Sequence, residues 1–460
     1  MSATGSDTDR LAHARQVITG GAPHSESNAL YAVYVAGIAA LAYGVPASQS
    51  FFRFLDPAWL ADHLTGVRGV AVLVLAVAGV LVLAFRAGRV RGPVVPELPY
   101  LDHVATSPID RAVVLRRWWR LGLLGCLVGG LLFGLVLGAG TAIAGVTSAL
   151  VLLPTAAGGL LGGLAVAGAW LHGQVRSWPT GDRGASVFLR SRRSLRALHV
   201  TGLRVQSARA VTVGGAVLAG DLRAARLDIA SPTTRGRRLR LRAGGPVGVV
   251  AARDALGLRR APGSLATGLV LTGLAAYGLA HGSAPGIPSV IAFGSLVVGY
   301  FGVGAWSEGM RLQADNAGTP PLLGIDARTE ATAHLIVPGL LTVGLTAVVA
   351  TGAALTGSSV GLRGVLWALA LTGLLVLAQV VAAFRGLPPA SLFAAGRGVP
   401  TMVLWYATPL LITVTAGTAA TAFVTAGQPG TGALLLALAT WGTSSYARRR
   451  VRVLDEAHRG

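Results

Sequence analysis

Residues 97–120 read ELPYLDHVATSPIDRAVVLRRWWR and separate two long apolar runs, at 69–85 and 121–143. The charges of this first loop segment need water, whereas an apolar run of roughly 20 residues can cross the hydrocarbon core of a bilayer as a helix. Pro108 suits the first turn of a helix, with Ser107 as the cap before it. We therefore predict a short structured loop at a membrane surface, with a small helix that begins at Ser107 or Pro108.

The composition is typical of a polytopic membrane protein. Mean hydropathy is +0.63, only 12% of the residues are charged, and 64 of the 460 residues are Gly. Apolar runs long enough to cross a membrane predict an all-α fold, a helical bundle of about ten transmembrane helices. The predicted helices are Ala29–Ala47, Gly69–Phe85, Leu121–Ile143, Val146–Leu171, Leu265–Ala280, Ile287–Trp306, Ala333–Leu355, Leu362–Phe384, Thr401–Thr425 and Gly430–Tyr446.

Arginine placement predicts the orientation, because short cytoplasmic loops are enriched in basic residues. All 39 basic residues are Arg; seven of them lie in the loop that follows the second predicted helix, and the C-terminal tail carries Arg448, Arg449, Arg450 and Arg452. The opposite side carries only Arg53, Arg68 and Arg363. We therefore predict a multi-pass protein of the cell (plasma) membrane with both termini and the first loop segment in the cytoplasm.

A second loop segment, residues 309–331, repeats part of the first. It contains Gly324-Ile-Asp-Ala-Arg328 just before a long apolar run, where Pro108-Ile-Asp-Arg111 stands in the first segment. The matching position indicates two related halves, as in transporters built from repeats. The alternative is coincidence, since any cytoplasmic loop needs a cap, a Pro and a few charges.

The predicted halves are unequal, with four helices in residues 29–172 and six in residues 265–447. Residues 1–28 form a cytoplasmic N-terminal segment, residues 173–264 a basic connector, and residues 448–460 a cytoplasmic tail.

The two loop segments resemble the coupling segments of ABC exporter permeases, most of all actinobacterial ones. The resemblance rests on the Ser-Pro-Ile-Asp-Arg run at 107–111, the Arg/Trp end at 116–120 and the partial second copy. It implies a transporter subunit that lacks its own nucleotide site and works with a separate ABC ATPase. It also implies that Asp110, Arg111, Asp326 and Arg328 make polar contacts to that ATPase. Residues that would fix each loop and fill the ATPase groove are Pro108, Ile109, Pro320, Pro321 and Ile325.

The basic connector is predicted to form amphipathic helices on the membrane surface, where Arg would bind anionic lipid head groups. Its last part, Val249–Arg260, resembles the elbow helix that precedes a permease half, with Arg253, Asp254, Arg259 and Arg260 as its charged residues. We expect no nucleic-acid partner, because residues 190–263 contain no aromatic residue for base stacking.

Other function classes find little support in the sequence. A Walker-type ATP loop needs a Lys, and the chain has none. We expect no metal, cofactor or catalytic residue, although Asp102, His103 and Asp110 leave open a membrane enzyme acting on lipids. A second alternative is a non-transporting membrane scaffold for an ATPase. The sequence also leaves open whether a second permease copy is needed to form the pathway. Uniformly apolar helices permit a hydrophobic or amphipathic substrate without selecting one.

Small residues at four-residue spacing predict a close pair formed by the third and fourth helices. These residues are Gly130, Gly134 and Gly138 on the third helix, with Gly158 and Gly162 on the fourth.

Overall fold

The computed structural model of this chain describes residues 40–53, 67–178, 191–218, 244–317, 324–356, 360–386 and 398–459, together with positions 9, 11, 12, 34, 37, 38 and 241. Every regular element in these ranges is helical. Within the described part of the chain, eight helices are long and apolar enough to cross a membrane, which is compatible with a multi-pass membrane protein.

The α-helices of the described residues are numbered in chain order. They are α1 (Val45–Arg53), α2 (Val67–Val90), α3 (Leu98–Tyr100), α4 (Arg111–Val114), α5 (Arg116–Ile143), α6 (Leu152–Val175), α7 (Ser191–Ala197), α8 (Val200–Leu218), α9 (Pro246–Arg260), α10 (Pro262–His281), α11 (Ser289–Trp306), α12 (Glu308–Asp315), α13 (Ala327–Ala333), α14 (Ile336–Leu355), α15 (Leu362–Ala383), α16 (Gly398–Thr425) and α17 (Pro429–Arg459). Short π-helical turns cover Ala40–Gly44 and Leu101–Ala105.

The all-helical bundle is confirmed, and among the described residues eight of the ten predicted runs correspond to helices long and apolar enough to cross a membrane. In the run Ala29–Ala47, residues 29–33, 35, 36 and 39 lie outside the described residues. The run Gly430–Tyr446 lies within α17, but this 31-residue helix is polar over its second half and is not among the eight. A total of ten transmembrane helices and a relation between two halves stay predictions.

The chain divides into two compact units, Met1–Ala230 and Ser231–Gly460. In the first unit, α6 packs against both α2 and α5, and α1 packs on α5. The α5–α6 contact is close because glycines face each other: a Cβ added to Gly130 would collide with the carbonyl oxygen of Gly159, and one added to Gly163 with that of Cys126. Gly158 and Gly162, which we predicted at this contact, instead face open space. The expected pair of helices therefore exists, but its glycine face on α6 is one residue further along.

Two buried glutamines, Gln174 and Gln206, form hydrogen bonds with the backbone of the segment that follows α2. The side-chain amide of Gln174 bonds to both backbone groups of Val94: Oε1 accepts from its N–H at 3.2 Å and Nε2 donates to its carbonyl oxygen at 2.7 Å. Gln174 Nε2 also donates to Gln206 Oε1 at 2.8 Å, and that oxygen accepts from the N–H of Gly92 at 3.2 Å. This arrangement satisfies buried backbone groups just before the first loop segment.

The second unit is built around α15, which contacts α10, α11, α14, α16 and α17. Leu371, Leu374 and Leu375 of α15 lie in the main hydrophobic core. Its polar side chains are paired within the bundle, since Trp367 Nε1 donates to Thr421 Oγ1 at 3.0 Å and Gln379 Nε2 donates to the carbonyl oxygen of Tyr300 at 2.8 Å. These hydrogen bonds matter because a buried polar side chain without a partner destabilises the folded protein.

Candidate functional site

The first loop segment folds into a compact core of its own. Tyr100, Leu101 and Val104 are buried in a cluster that also contains Val114 and Leu115. The Tyr100 hydroxyl donates to the carbonyl oxygen of Val114 at 3.2 Å, and its ring centroid lies 4.4 Å from that of Trp118. The segment is therefore structured, as predicted.

The short helix of this segment begins later than expected. Asp110, rather than Ser107, is the cap of α4, and its carboxylate accepts from the N–H of Ala112 at 3.1 Å. Ser107 instead donates its hydroxyl to the carbonyl oxygen of Val104 at 2.6 Å, so it closes the preceding turn. Ser and Asp are both good helix caps. Because the Ser107 hydroxyl is already bonded to the turn that ends at Ala105, Asp110 caps α4 instead.

Asp110 also forms ion pairs with α7. Its Oδ2 lies 2.6 Å from the Arg196 guanidinium and 3.4 Å from that of Arg192, and Arg196 Nε donates to Oδ1 at 3.0 Å. This bidentate arrangement is the stronger geometry for an Arg–carboxylate pair. The hydrogen bond from Arg196 holds the pKa of Asp110 well below its usual range. Asp110 is therefore an anion that joins two parts of the first unit.

Arg111 also binds the segment that contains α7, through backbone carbonyl groups. Its guanidinium donates to the carbonyl oxygen of Leu198 at 2.8 Å and to that of Arg196 at 3.4 Å, which lie at the end of α7. Ile109 is half-buried against the core cluster, whereas Pro108 is exposed. Asp110 and Arg111 thus bind α7, and Pro108, Arg192 and Arg193 are exposed.

The second loop segment has a similar cap with different surroundings. Asp326 is the cap of α13, where it accepts from the N–H of Thr329 at 3.4 Å and from the Thr329 hydroxyl. The Thr329 hydroxyl lowers the pKa of Asp326. Asp326 and Arg328 are exposed and Ile325 is half-buried, while Gly324 takes a positive φ of 65° that suits Gly. Pro320 and Pro321 lie outside the described residues.

The two loop segments therefore share one local feature. Each has an Asp that caps a short helix, and each short helix leads within a few residues into a long apolar helix, α5 or α14. The two carboxylates differ in their ion pairs. Asp110 pairs with Arg196, whereas Asp326 has no ion pair in the described part of the chain. Asp326 is consequently the more accessible carboxylate.

The segment that resembles an elbow helix is helical and lies in α9. Arg253 and Arg259 are exposed and Arg260 is half-buried. Asp254 is buried instead, and its Oδ2 lies 2.7 Å from His334 Nδ1. A Cβ added to Gly309 would collide with the same carboxylate, so α12 approaches it closely. Sequence reasoning missed His334 as a partner because 80 residues separate it from Asp254.

The acidic cluster that left an enzyme open is divided in the structure. Asp102 Oδ1 accepts from Arg204 Nε at 2.6 Å, Asp110 pairs with Arg196, and His103 is exposed. Within the described ranges, no group of three or more His, Cys, Asp or Glu residues could hold a metal ion. Residues 179–190, 219–240, 242 and 243 of the basic connector lie outside those ranges.

Comparison of this chain with protein-family models, with curated proteins and with solved structures gave no match.

Proposed function

We propose that this chain is the membrane permease subunit of an ATP-driven ABC exporter, and that a separate ATPase subunit supplies the nucleotide site. The observation that supports the proposal is the pair of Asp-capped short helices, α4 and α13, each leading into a long apolar helix. A push on such a short helix would be transmitted directly to the membrane helix that follows it. The absence of Lys from the sequence agrees with ATP binding in a partner.

The two loop segments would contribute differently to the ATPase contact. Asp326 and Arg328 are exposed, so both can pair with charges of a partner. In the first loop segment, Asp110 and Arg111 already bind α7. There, Pro108 and the exposed Arg192 and Arg193 would meet the ATPase, while Asp110 and Arg111 make α7 move together with the loop. The basic connector would bind anionic lipid head groups on the cytoplasmic side of the plasma membrane.

Co-purification tests the proposal most directly. A tag after Gly460 allows mild extraction from the native membrane, and the proteins that accompany the chain can be identified by mass spectrometry. We expect an ATPase that carries a Walker loop. Reconstituted vesicles should then move a hydrophobic or amphipathic substrate in a vanadate-sensitive manner. An ATPase that co-purifies without any such movement would favour a scaffold over a transporter.

Substitutions at Asp110 and Asp326 can test the ATPase contact separately from the folding of the two short helices. Asp326→Asn removes the charge but keeps a good helix cap, because Asn caps as well as Asp. We expect Asp326→Asn combined with Asp110→Asn, which keeps both helix caps, to uncouple ATP hydrolysis from transport without lowering the amount of protein in the membrane. Arg196→Ala is the matched control, since it breaks the internal ion pair and leaves the Asp110 carboxylate in place. Unchanged transport in the double variant would refute the assignment of both loop segments.

A further inference from the structure

The second unit contains a large apolar cleft between α15 and α17. Its volume is about 1030 Å³, which is at the upper end of the range for small-molecule sites. The lining extends from Leu362 to Leu377 on α15 and from Pro429 to Ser444 on α17. At a rise of 1.5 Å per residue, each wall is about 22 Å long, a large part of the roughly 30 Å hydrocarbon core. The cleft can therefore hold a long apolar chain.

The side chains explain why the space is open. Ala370 of α15 and Ala433 and Ala437 of α17 line the cleft with small side chains. Leu366 and Trp441 also line it, and they are 58% and 68% exposed. Exposed apolar surface of this extent is typical of a binding surface or of contact with lipid.

One end of the cleft is cationic. Arg363 is the only ionisable residue of its described lining, and its guanidinium donates to the carbonyl oxygen of Val424 at 3.1 Å. A guanidinium has five N–H donors, so this bond leaves capacity for an anion. The opposite end of the cleft carries the hydroxyl groups of Thr440 and Ser444.

The chain around the cleft provides no counter-charge. Residues 336–447, which include α14, α15, α16 and the apolar part of α17, contain no Asp or Glu. Arg363 is exposed, so its guanidinium is accessible to an anion from outside this segment. An anionic amphiphile in the cleft would place its head group at this end, where the charges are complementary.

We propose that the cleft binds an anionic lipid, with its phosphate or carboxylate head group on Arg363 and its apolar chain between α15 and α17. Charge complementarity at one end and the length of the apolar walls select this occupant. The proposal concerns binding alone, so it does not depend on ATP-driven transport.

Photolabelling of the purified full chain tests the proposal. The protein is placed in nanodiscs of phosphatidylcholine, and the probe is a diazirine-bearing fatty acid, whose head group is a carboxylate. We expect labelled peptides from α15 and α17. An unlabelled fatty acid or phosphatidic acid should compete with the probe, whereas the fatty alcohol of the same chain length should not.

Matched variants locate the site. Arg363→Gln should reduce labelling of the cleft about fivefold, the loss expected for one exposed charge pair. Arg448→Gln, on α17 but outside the cleft lining, should leave it unchanged. Ala437→Trp should reduce labelling by narrowing the cleft, whereas Leu438→Trp should not, because Leu438 is exposed outside the lining. Elution of each variant as a monodisperse particle shows that it has folded.

Two results would overturn the proposal. Labelling that is independent of Arg363, with equal competition by the fatty alcohol, would mean ordinary lipid contact. In a Cys126→Ser background, a disulfide formed between two copies through Ala433→Cys would mean that a second copy of the chain covers the cleft.

Discussion

Asp254 Oδ2 and His334 Nδ1 lie 2.7 Å apart, and both side chains are buried. A carboxylate can only accept, so the ring N–H of His334 donates. The pair joins α9 to the start of α14, and α9 also packs against α12 and α13. This buried polar contact thus adds to the packing that holds α9, an amphipathic helix with exposed arginines, in the second unit.

Removing this contact should destabilise the second unit. Asp254→Ala leaves a buried His donor without its partner, at a cost of about 1–3 kcal/mol, whereas Asp254→Asn keeps an acceptor and should cost less. The measurement is the temperature at which half of the detergent-solubilised protein no longer elutes as a monodisperse peak. Arg253→Ala is the control on the same helix, because Arg253 is exposed. Equal stability of Asp254→Ala and Arg253→Ala would contradict the role of the pair.

Adjacent glycines on α5 allow a test of the α5–α6 contact. A Cβ on Gly130 would collide with the carbonyl oxygen of Gly159, whereas a Cβ on Gly129 would meet no atom within 4 Å. Gly→Ala increases helix propensity by up to about 1 kcal/mol at both positions. We therefore expect Gly129→Ala to be neutral or stabilising and Gly130→Ala to cost about 1–3 kcal/mol through overpacking. Thermal stability of the two variants, compared in one detergent, decides the matter. The same loss in both would show that the helices do not approach as described.

Hydrophobic run length was enough to predict where most of the long helices lie, but not where they end. The apolar run predicted to begin at Leu121 belongs to a helix that begins at Arg116, because Arg and Trp side chains continue it into the aqueous interface. The α6 glycines show a second limit. Gly158-Gly159 and Gly162-Gly163 both fit a four-residue period, and only packing against α5 selects Gly159 and Gly163.

The candidate site was only partly predictable for a related reason. An Asp before a short helix is a local signal, and both Asp110 and Asp326 do cap helices. The partner of Asp110 is 86 residues away in the sequence, and no local pattern specifies such a pair. The sequence therefore identified the charged residues of the loops without showing that Asp110 and Arg111 are engaged by α7.

The glutamine pair of the first unit should be sensitive to truncation. Gln174→Ala leaves the N–H and the carbonyl of Val94 without the partners they have in the native state, and both bonds are buried. Each lost partner costs about 1–3 kcal/mol, so the free energy of unfolding should fall by at least about 2 kcal/mol. Gln174→Glu should also destabilise, because a carboxylate cannot donate to the Val94 carbonyl. Thermal stability in detergent measures both effects, with the partly buried Gln313→Ala of the second unit as a control. If Gln174→Ala is no worse than Gln313→Ala, the glutamine pair does not fasten this part of the chain.

The Asp110–Arg196 ion pair should survive mild acid. Because Arg196 lowers the pKa of Asp110 in the folded chain, the pair contributes stability at every pH above the ordinary Asp value of about 3.9. That contribution is lost only as the pH falls below this value toward the lowered folded pKa. Hydrogen–deuterium exchange of the amides of α7, corrected for the intrinsic pH dependence of exchange, should therefore show the same protection at pH 8 and pH 5. A progressive loss of protection between these values would contradict the lowered pKa.

Substitution of Arg196 should break the ion pair to Asp110 at neutral pH, as protonation of Asp110 does in strong acid. Arg196 is more than half exposed, so solvent screens its ion pair, and Arg196→Gln should accelerate exchange of the α7 amides by no more than about fivefold. Arg193→Gln is the matched control on the same helix, since Arg193 is exposed and makes no ion pair in the described ranges. Asp110→Asn should resemble Arg196→Gln, because a neutral amide still caps α4 but no longer pairs with the guanidinium. If Arg193→Gln accelerates exchange as much as Arg196→Gln, α7 is held by its overall charge rather than by the ion pair to Asp110.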